Sequence, residues 1–420
     1  MIRVFKFGGA LMQDAEGVRK VSDIIEEYSC EPLVIVVSAL GKTTNALENL
    51  LNIALKDKTS DETKNAFFKL KQYHLSILNE LCPDNPENIK LDNLFIELWD
   101  ALNEDYQDNY FAYDQIVSFG ERLSSFIVYN YLKTKEIAIK TVDATEIIVT
   151  NNSFTDATVN WKMTTKTIEA KVVPSIESGL VVITQGFIAS DDRGYYTTLG
   201  REGSDFTAAI IANIIDANEI TIWKDVPGLM NADPKRFAET FKLKNISYHE
   251  AIELAFYGAS VIHPKTIQPL KEKGIPLFVR SFYNPQSSPS VISSDSSSDE
   301  KEHKIILKDN QVLLSITSKN LDFISEENLT IIFKALSKHK IHVNLMQNSA
   351  VSFSVCFNYN EDKLNSLLKD LDSQFNIRYN TDLQLLTIRH YNDDLIKKQI
   401  LGKSIFLEQK SRSTVQLLVR

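Results

Sequence analysis

Cysteine is scarce in this sequence, and positive charge is not in excess. The three cysteines, Cys30, Cys82 and Cys356, are odd in number and about 50 or more residues apart. This spacing suggests neither a disulfide framework nor a paired-cysteine metal site, so we expect reduced thiols in a reducing compartment. The chain has 46 basic and 55 acidic residues, a net charge of −9. Surfaces that bind nucleic acid or anionic membranes need a basic excess, so neither is expected, and any phosphate affinity must be local.

Long hydrophobic runs are missing as well. Leu33–Val37, one of the longest, is far shorter than the roughly 20 residues that cross a bilayer as a helix. No long apolar stretch follows the basic start of the chain, so we expect a soluble cytoplasmic protein. The chain has 420 residues, of which 43% are apolar. That is enough for about two to four folded domains.

Strand and helix patterns alternate over residues 1–283. Residues 2–7 form a short strand that ends at Gly8-Gly9, residues 14–28 have apolar side chains at helical spacing, and Leu33–Val37 is typical of a strand buried on both faces. Mostly helical patterns follow, and later strands are predicted near residues 137–142, 180–184, 219–223 and 276–280. This alternation predicts an α/β fold, a three-layer α/β/α sandwich with a mostly parallel sheet and ligands at the carboxyl ends of its strands.

A serine-rich segment separates this region from the rest of the chain. Residues 284–302 contain eight serines and two prolines, a composition too polar to bury much, so we expect a linker. Residues 303–372 then follow a βαββα-like order, which predicts a small ferredoxin-like α+β domain. Residues 373–420 begin with another strand near 383–388 and have one short helix, which suggests a second, abbreviated domain of the same kind.

Four loops that follow predicted strands are rich in glycine, hydroxyl groups or charge. They are residues 6–9, 38–45, 198–205 and 224–228. Glycines let backbone N–H groups approach phosphate oxygens, and a helix that begins at Ser204 adds the positive end of its dipole. Each loop alone is weak evidence, because neither the Walker spacing nor GxGxxG is present. Together with Lys6, Arg201, Lys224 and Lys235, the loops indicate an anion-binding site.

Five motifs follow one another over residues 6–264. They are Lys6-Phe7-Gly8-Gly9, FGERLSS at 119–125, TLGREGSD at 198–205, WKDVPG with NADPK at 223–235, and YGASVIHP at 257–264. This ordered set resembles that of the aspartate kinases, which belong to the amino acid kinase superfamily. Residues 313–357 are similar to the ACT regulatory domain of those enzymes. The resemblance implies an amino acid kinase fold followed by ACT-like domains.

The implied activity is transfer of phosphate from ATP, with Mg²⁺, to L-aspartate. It gives 4-phospho-L-aspartate and ADP, the first step toward lysine, threonine and methionine. A β-carboxylate with a pKa of about 4 is already anionic at pH 7 and needs no general base. The carboxylate and the triphosphate repel each other because both are anionic, and lysines, backbone N–H groups and Mg²⁺ offset this repulsion. Neither a Ser-His-Asp order nor HExxH is visible.

The resemblance also implies roles for individual residues. Lys6 bridges the transferring and leaving phosphates, and Gly8 and Gly9 admit the γ-phosphoryl group. The residues implied to hold aspartate are Thr44, Glu121, Arg201 and Asp205. Those at nucleotide-contacting positions are Lys224, Asp225, Met230, Lys235 and Ser260. No residue is assigned as a protein ligand to a metal ion.

The chain departs from the family pattern at several positions. The opening glycines are usually followed by Thr or Ala and then Ser, and Ala10-Leu11 here removes hydroxyls near the phosphates. Glu202 stands where glycine is commoner, and Lys224 where threonine is commoner. Ser260 replaces a lysine that usually reaches the nucleotide phosphates. We hypothesise that Lys224 or Lys265 substitutes for that lysine.

Two alternatives to a catalytic aspartate kinase stay open. One is a sister amino acid kinase that acts on another carboxylate or a nucleotide, and the other is a catalytically impaired subunit that senses amino acids. In the ACT-like region, residues 318–328 occupy the place where such domains bind an effector, and Asn344 stands where lysine-sensitive relatives often have aspartate. The effector is therefore unknown, and a dimerisation module without a ligand is the alternative. We expect a homodimer or higher homo-oligomer through the C-terminal domains.

Overall fold

A computed structural model describes residues 1–83, 88–259, 262–320 and 322–420. The chain divides into two units. The first comprises Met1–Leu229, Lys242–Ile252 and the described part of residues 260–296. The second comprises Met230–Phe241, Glu253–Ala259 and Ser297–Arg420. No helix among the described residues is both long and apolar enough to cross a membrane.

The first unit is organised around one large sheet. Its strands are β1 (Arg3–Phe7), β2 (Leu33–Val37), β3 (Ile139–Thr141), β4 (Val181–Gln185), β5 (Ile188–Ser190), β6 (Tyr196–Thr198), β7 (Glu219–Lys224), β8 (Asn245–Ser247), β9 (Leu277–Ser281) and β10 (Ser290–Ser293). Eight of them form the sheet in the order β3-β4-β2-β1-β7-β9-β10-β8, while β5 and β6 form a separate hairpin. Neighbouring strands in the large sheet are parallel except β9 and β10. The predicted mostly parallel sheet is confirmed.

Helices connect these strands as the periodicity predicts. They are α1 (Ala15–Tyr28), α2 (Thr43–Ala54), α3 (Asp61–Leu81), α4 (Asn88–Asn103), α5 (Asn109–Val117), α6 (Phe119–Thr134), α7 (Ala144–Ile147), α8 (Trp161–Lys171), α9 (Val173–Glu177), α10 (Gly203–Ile214), α11 (Tyr248–Tyr257) and α12 (Pro264–Lys273). Asp14 caps α1 by accepting a hydrogen bond from the Gly17 N–H at 2.8 Å, which satisfies one of the free donors of the first turn.

Buried aromatic side chains hold the centre of the sheet. All five residues of β2 are buried, as expected for a strand covered on both faces. Phe7 at the end of β1 stacks on Trp223 of β7, with ring centroids 5.9 Å apart. The two residues are register partners in adjacent parallel strands. This packing places the carboxyl ends of β1 and β7 side by side.

The serine-rich segment is more ordered than its composition suggests. Ser290–Ser293 forms β10, which pairs antiparallel with β9. The Ser290 hydroxyl accepts a hydrogen bond from the Leu229 N–H at 2.9 Å and donates one to the Leu243 carbonyl at 2.5 Å. Backbone partners thus satisfy a serine that is almost wholly buried. The expectation of an unburied linker is therefore wrong for residues 290–293.

The second unit contains a six-stranded antiparallel sheet. Its strands are β11 (Lys304–Ser318), β12 (Val343–Asn348), β13 (Ser352–Asn358), β14 (Phe375–Arg389), β15 (Ile405–Lys410) and β16 (Thr414–Val419), in the order β12-β13-β11-β14-β16-β15. Its helices are α13 (Glu326–Lys338), α14 (Glu361–Leu371) and α15 (Asp393–Ile400).

Two cores share the long strands β11 and β14. One core contains Val312 and Leu314 of β11 with residues of α13, α14 and β13. The other contains Ile305, at the start of β11, with residues of β14, α15 and β16. The first ferredoxin-like region is thus nested between two parts of the second, where the sequence predicted a serial division at residues 372 and 373. The difference arises because residues 304–308 pair with residues 385–389, and local periodicity carries no trace of that pairing.

Candidate active site

The carboxyl ends of parallel strands meet at one edge of the large sheet. β1 lies between β2 and β7, and Phe7 is the register partner of both Val37 and Trp223. The loops that follow these three strands therefore adjoin one another. They contain the glycine pair Gly8-Gly9, residues 38–45 and residues 225–228. This is the edge at which α/β sheets bind ligands.

Lys6 and Asp205 form an ion pair at this edge. The Lys6 ammonium lies 2.6 Å from a carboxylate oxygen of Asp205, and the two side chains are 13% and 4% exposed. Lys6 is in β1, and Asp205 is in the first turn of α10, a helix that packs against β1, β2 and β7. The structure thus joins two residues that the sequence analysis assigned to one site.

Glu121 is a buried carboxyl group close enough to Lys6 to feel its charge. One carboxylate oxygen accepts a hydrogen bond from the Ala39 N–H at 3.2 Å. The other oxygen is buried and has no hydrogen-bond partner among the described residues. Burial raises the pKa of Glu121 to about 8, although the Ala39 N–H and the positive charge of Lys6 act to lower it. Glu121 therefore has one carboxyl oxygen that no described protein group satisfies and that a ligand can bind.

The two glycines of the opening motif have different surroundings. A side chain at Gly9 would place Cβ 2.2 Å from the Ala39 carbonyl oxygen, and the Gly41 N–H donates to the Gly9 carbonyl at 2.9 Å. Gly9 therefore lets the loops after β1 and β2 come together. A Cβ at Gly8 would instead face the Lys6 ammonium at 3.5 Å. A methyl group at Gly8 would thus contact the Lys6 ammonium and, beyond its chain neighbours, no described backbone atom within 4 Å.

Thr43 and Thr44 begin α2, and a buried histidine supports Thr43. The Thr43 hydroxyl lies 3.3 Å from Nε2 of His74, whose Nδ1 lies 2.8 Å from the Leu70 carbonyl. Burial lowers the pKa of His74 to about 4, which keeps the ring neutral at pH 7. Thr44 is half-buried beside this contact. Sequence analysis missed His74, because nothing in its own helix points to a partner in α2.

Arg201 lies on the loop between β6 and α10. It is exposed, and no described contact joins its guanidinium to Lys6, Glu121 or Asp205. Glu202 takes the N-cap position of α10 with φ +54°, and its carboxylate accepts a hydrogen bond from the His263 N–H at 2.8 Å. The helix thus begins at Gly203, one residue before the predicted start.

The residues at nucleotide-contacting positions are distributed over both units. Lys224 ends β7 and Asp225 is exposed just after it. Met230 and Lys235 belong to the second unit, and Ser260 lies outside the described residues.

Lys265 and His263 have structural partners. The Lys265 ammonium forms an ion pair with Asp156, so the hypothesis that Lys265 replaces the missing lysine gains no support. Nδ1 of His263 accepts a hydrogen bond from the Lys265 N–H at 3.2 Å, which makes His263 the N-cap of α12.

A mostly parallel sheet with a lysine, paired glycines and buried carboxylates at its strand ends is an arrangement in which α/β proteins bind anionic ligands such as phosphates. The chain belongs to the amino acid kinase family, whose model matches residues 1–281. The predicted family and fold are thereby confirmed.

The chain is similar to known aspartokinases over most of its length. It is 29% identical over 414 residues to lysine-sensitive aspartokinase 3 of Escherichia coli, an overlap of 96% of this chain and 90% of that protein. It is 32% identical over 362 residues to the chloroplastic aspartokinase 3 of Arabidopsis thaliana, an overlap of 84% of this chain and 64% of that protein.

Solved structures of the Escherichia coli protein, aspartokinase III, share this architecture. The complex with lysine and aspartate, in the T-state, superimposes with a TM-score of 0.83 at 26% identity and covers 99% of this chain and 95% of that chain. The complex with aspartate and ADP, in the R-state, gives a TM-score of 0.82 at 26% identity and covers 100% and 96%.

Proposed function

We propose that this chain is an aspartate kinase. It transfers the γ-phosphoryl group of ATP to the β-carboxylate of L-aspartate, so that a carboxylate oxygen forms a bond to phosphorus and ADP leaves. The observation that carries the proposal is the Lys6–Asp205 ion pair beside Gly8. It lies at the ligand-binding edge of a chain that resembles an Escherichia coli aspartokinase over 96% of its length.

The reaction requires charge neutralisation more than proton transfer. The acceptor carboxylate is already ionised at pH 7, with an ordinary pKa of about 4. The Lys6 ammonium lies 3.5 Å from the position of a Cβ at Gly8, and Asp205 holds it in place. In the substrate complex, Lys6 neutralises the phosphates while the backbone at Gly8 leaves room for the γ-phosphoryl group.

Carboxylates and a guanidinium recognise the amino acid. The ammonium group of aspartate binds Asp205 and the unpaired buried oxygen of Glu121, and its positive charge favours the ionised form of Glu121 in the substrate complex. Arg201 forks onto a carboxylate of the substrate, which planar guanidinium groups bind with two parallel hydrogen bonds. Thr44 adds a hydroxyl at the start of α2, and Lys224 and Asp225 at the end of β7 serve the nucleotide.

The oxygen ligands at this site suit a Mg²⁺ ion that binds together with the nucleotide phosphates. No group of three or more histidine, cysteine, aspartate or glutamate side chains in the described ranges could hold a metal ion. Mg²⁺ usually binds through one or two carboxylates together with substrate phosphates and water. Asp205, which is paired with Lys6 beside Gly8, is the carboxylate that would hold it. When bound, the ion supplies further neutralisation of the phosphates.

The second unit is proposed to regulate or dimerise the enzyme. The Asn344 oxygen accepts a hydrogen bond from the Lys308 ammonium at 2.9 Å. The Asn344 amide donates to Gln311 at 2.8 Å and to Asn358 at 2.9 Å. Because both ends of this amide already have partners, the structure favours a dimerisation module over a lysine sensor at Asn344. Titration of turnover with lysine tests this choice, and inhibition at low lysine concentration would reject it.

The activity is tested with purified protein, Mg-ATP and a panel of acceptors. Hydroxylamine traps an acyl phosphate as a hydroxamate, and ADP release is measured in parallel. We expect both products with L-aspartate and neither with D-aspartate or without an acceptor. Turnover with glutamate alone would support a sister kinase. Nucleotide binding without turnover would support an impaired sensing subunit.

A further inference from the structure

Asp114 is a wholly buried carboxylate that holds two loops of the first unit together. It lies in α5 and is 0% exposed. One oxygen accepts hydrogen bonds from the Thr198 N–H at 2.9 Å and the Thr155 N–H at 3.0 Å. The other accepts the Thr198 hydroxyl at 2.7 Å. Three donors thus converge on one carboxyl group.

The neighbouring residue of α5 strengthens this attachment. The Gln115 amide donates to the Tyr196 carbonyl at 2.8 Å and accepts from the Tyr196 N–H at 3.3 Å. The Ala157 N–H donates to the Thr198 carbonyl at 2.9 Å, and β5 pairs with the opposite edge of β6. The backbone of β6 is therefore held from both sides at the residue where the loop to α10 begins.

Close contacts fix the backbone of the two residues between Thr198 and Arg201. The Leu199 N–H donates to the Phe187 carbonyl at 2.9 Å. Gly200 has φ +74°, and a Cβ there would lie 2.6 Å from a carboxylate oxygen of Asp156 and 3.3 Å from the Thr155 carbonyl. A shift of Thr155 or Thr198 would therefore displace Gly200, and Arg201 with it.

We infer that Asp114 is a positioning residue for the acceptor substrate, because it fixes the origin of the loop that carries Arg201. The inference rests on the proposed function, in which Arg201 binds a carboxylate of aspartate. Arg201 is exposed and has no described contact of its own that would orient it. Its placement consequently depends on the backbone that Asp114 holds.

The chemistry of the carboxyl group explains why aspartate suits this position. Burial is costly for an anion, and it raises the pKa of Asp114 to about 6, while the three donors act in the opposite direction. Asparagine has nearly the same shape but replaces one acceptor oxygen by an NH₂ donor. In one orientation, the NH₂ group of asparagine would face the Thr155 and Thr198 N–H donors. In the other orientation, it would face the Thr198 hydroxyl, which would lose its acceptor.

Asp191 provides a matched control in the same hairpin. It is 3% exposed, and one oxygen accepts from the Arg193 N–H at 3.0 Å and the Tyr195 N–H at 2.9 Å. The other oxygen binds the Arg193 guanidinium at 2.7 Å. It thus holds the turn between β5 and β6, at the opposite end of the hairpin from Thr198.

Steady-state kinetics of Asp114→Asn and Asp191→Asn, in the full chain, test the inference. We expect Asp114→Asn to lower kcat/KM for aspartate by about 10- to 100-fold, since misplaced binding groups cost that much. Its KM for ATP should stay within about twofold of the wild-type value. Asp191→Asn should stay within about twofold of the wild type both in kcat/KM for aspartate and in KM for ATP. Equal losses for both substrates, or the same loss in Asp191→Asn, would overturn the inference.

Thr198 supplies a second route should Asp114→Asn fail to fold. Thr198→Val removes one of the three donors and should raise KM for aspartate by about threefold, whereas Thr198→Ser keeps the hydroxyl and should restore it. Equal KM values for the two variants would overturn the inference. If the wild-type protein has no aspartate-dependent turnover, the proposed function fails and the inference fails with it. If the wild type turns over and KM for aspartate is unchanged in the variants, the inference alone fails.

Discussion

The Lys6 ammonium lies 2.6 Å from the Asp205 carboxylate in a place where neither side chain is more than 13% exposed. The pair joins the end of β1 to the first turn of α10. Because water is largely excluded, the two charges depend on each other more than a surface pair would. A phosphate that enters the site therefore meets a lysine that Asp205 has already oriented.

Replacement of one partner separates the structural role of this pair from its catalytic role. Lys6→Met leaves the buried Asp205 carboxylate uncompensated and should lower the free energy of unfolding by about 3 kcal/mol. It should also lower turnover by at least about 100-fold. The double variant Lys6→Met/Asp205→Asn should recover most of the stability and none of the turnover. Urea unfolding and the hydroxamate assay measure both, and wild-type turnover in Lys6→Met would exclude Lys6 from the chemistry.

Glu121 should make the stability of the protein fall as pH rises. The pKa of Glu121 is about 8 in the folded chain, against an ordinary 4.5, so the folded state keeps a proton that the unfolded state loses. This contribution is complete below the ordinary value and is lost as pH rises toward 8. Glu121→Gln has no such titrating proton. Its free energy of unfolding, relative to that of the wild type, should therefore rise by roughly 1.4 kcal/mol per pH unit between the two pKa values.

Urea unfolding at pH 5.5, 6.5 and 7.5 measures this difference. The control is Glu97→Gln, because Glu97 is exposed and forms an ion pair with Arg122. We expect its difference from the wild type to stay nearly constant over this range. Parallel pH dependence in Glu121→Gln and the wild type would show that Glu121 is ionised in the folded protein.

The adjacent glycines should respond differently to the same substitution. Gly9→Ala places a methyl group against the Ala39 carbonyl and should destabilise the fold by about 2 kcal/mol. Gly8 has φ −81° and ψ 155°, which alanine adopts without strain, so Gly8→Ala should stay within about 0.5 kcal/mol of the wild type. Its turnover should fall by about tenfold, because the methyl group intrudes where the phosphoryl group is proposed to bind. A stable Gly9→Ala variant would contradict the close approach of the two loops.

Glu202 combines backbone strain with a useful hydrogen bond. Its φ of +54° costs about 1 kcal/mol in any residue with a Cβ, while its carboxylate binds the His263 N–H. Glu202→Ala loses the hydrogen bond and keeps the strain, whereas Glu202→Gly loses both. Glu202→Gly should therefore be about 1 kcal/mol more stable than Glu202→Ala. Equal unfolding free energies for the two variants would mean that the backbone relaxes at this position.

Local pattern was sufficient to predict most of the fold. The helical pattern at residues 14–28 agrees with α1 and its N-cap Asp14, because the apolar periodicity and the capping residue act within that segment. The strand at Ser290–Ser293 escaped prediction because its serines are satisfied by backbone groups distant in the sequence. The nested cores of the second unit escaped it because strand pairing is a long-range property.

In the candidate site, too, residues within local motifs were predicted, whereas residues that depend on distant partners were not. Lys6, Glu121 and Asp205 were found through motifs, and the structure brings Lys6 and Asp205 into contact. His74 and Asp114 were missed, because a buried polar residue reveals its role only through partners such as Thr43 and Thr198. No motif contains either of them.

A crystal structure with ADP and L-aspartate tests the central claim most directly. We expect the Lys6 ammonium and the Arg201 guanidinium to contact ligands in one continuous cleft, with Lys6 about 3 Å from a phosphate oxygen. We expect Glu121 and Asp205 to face the substrate ammonium in the same cleft. Ligands bound by Lys6 and Arg201 in two unconnected clefts would contradict the proposed function.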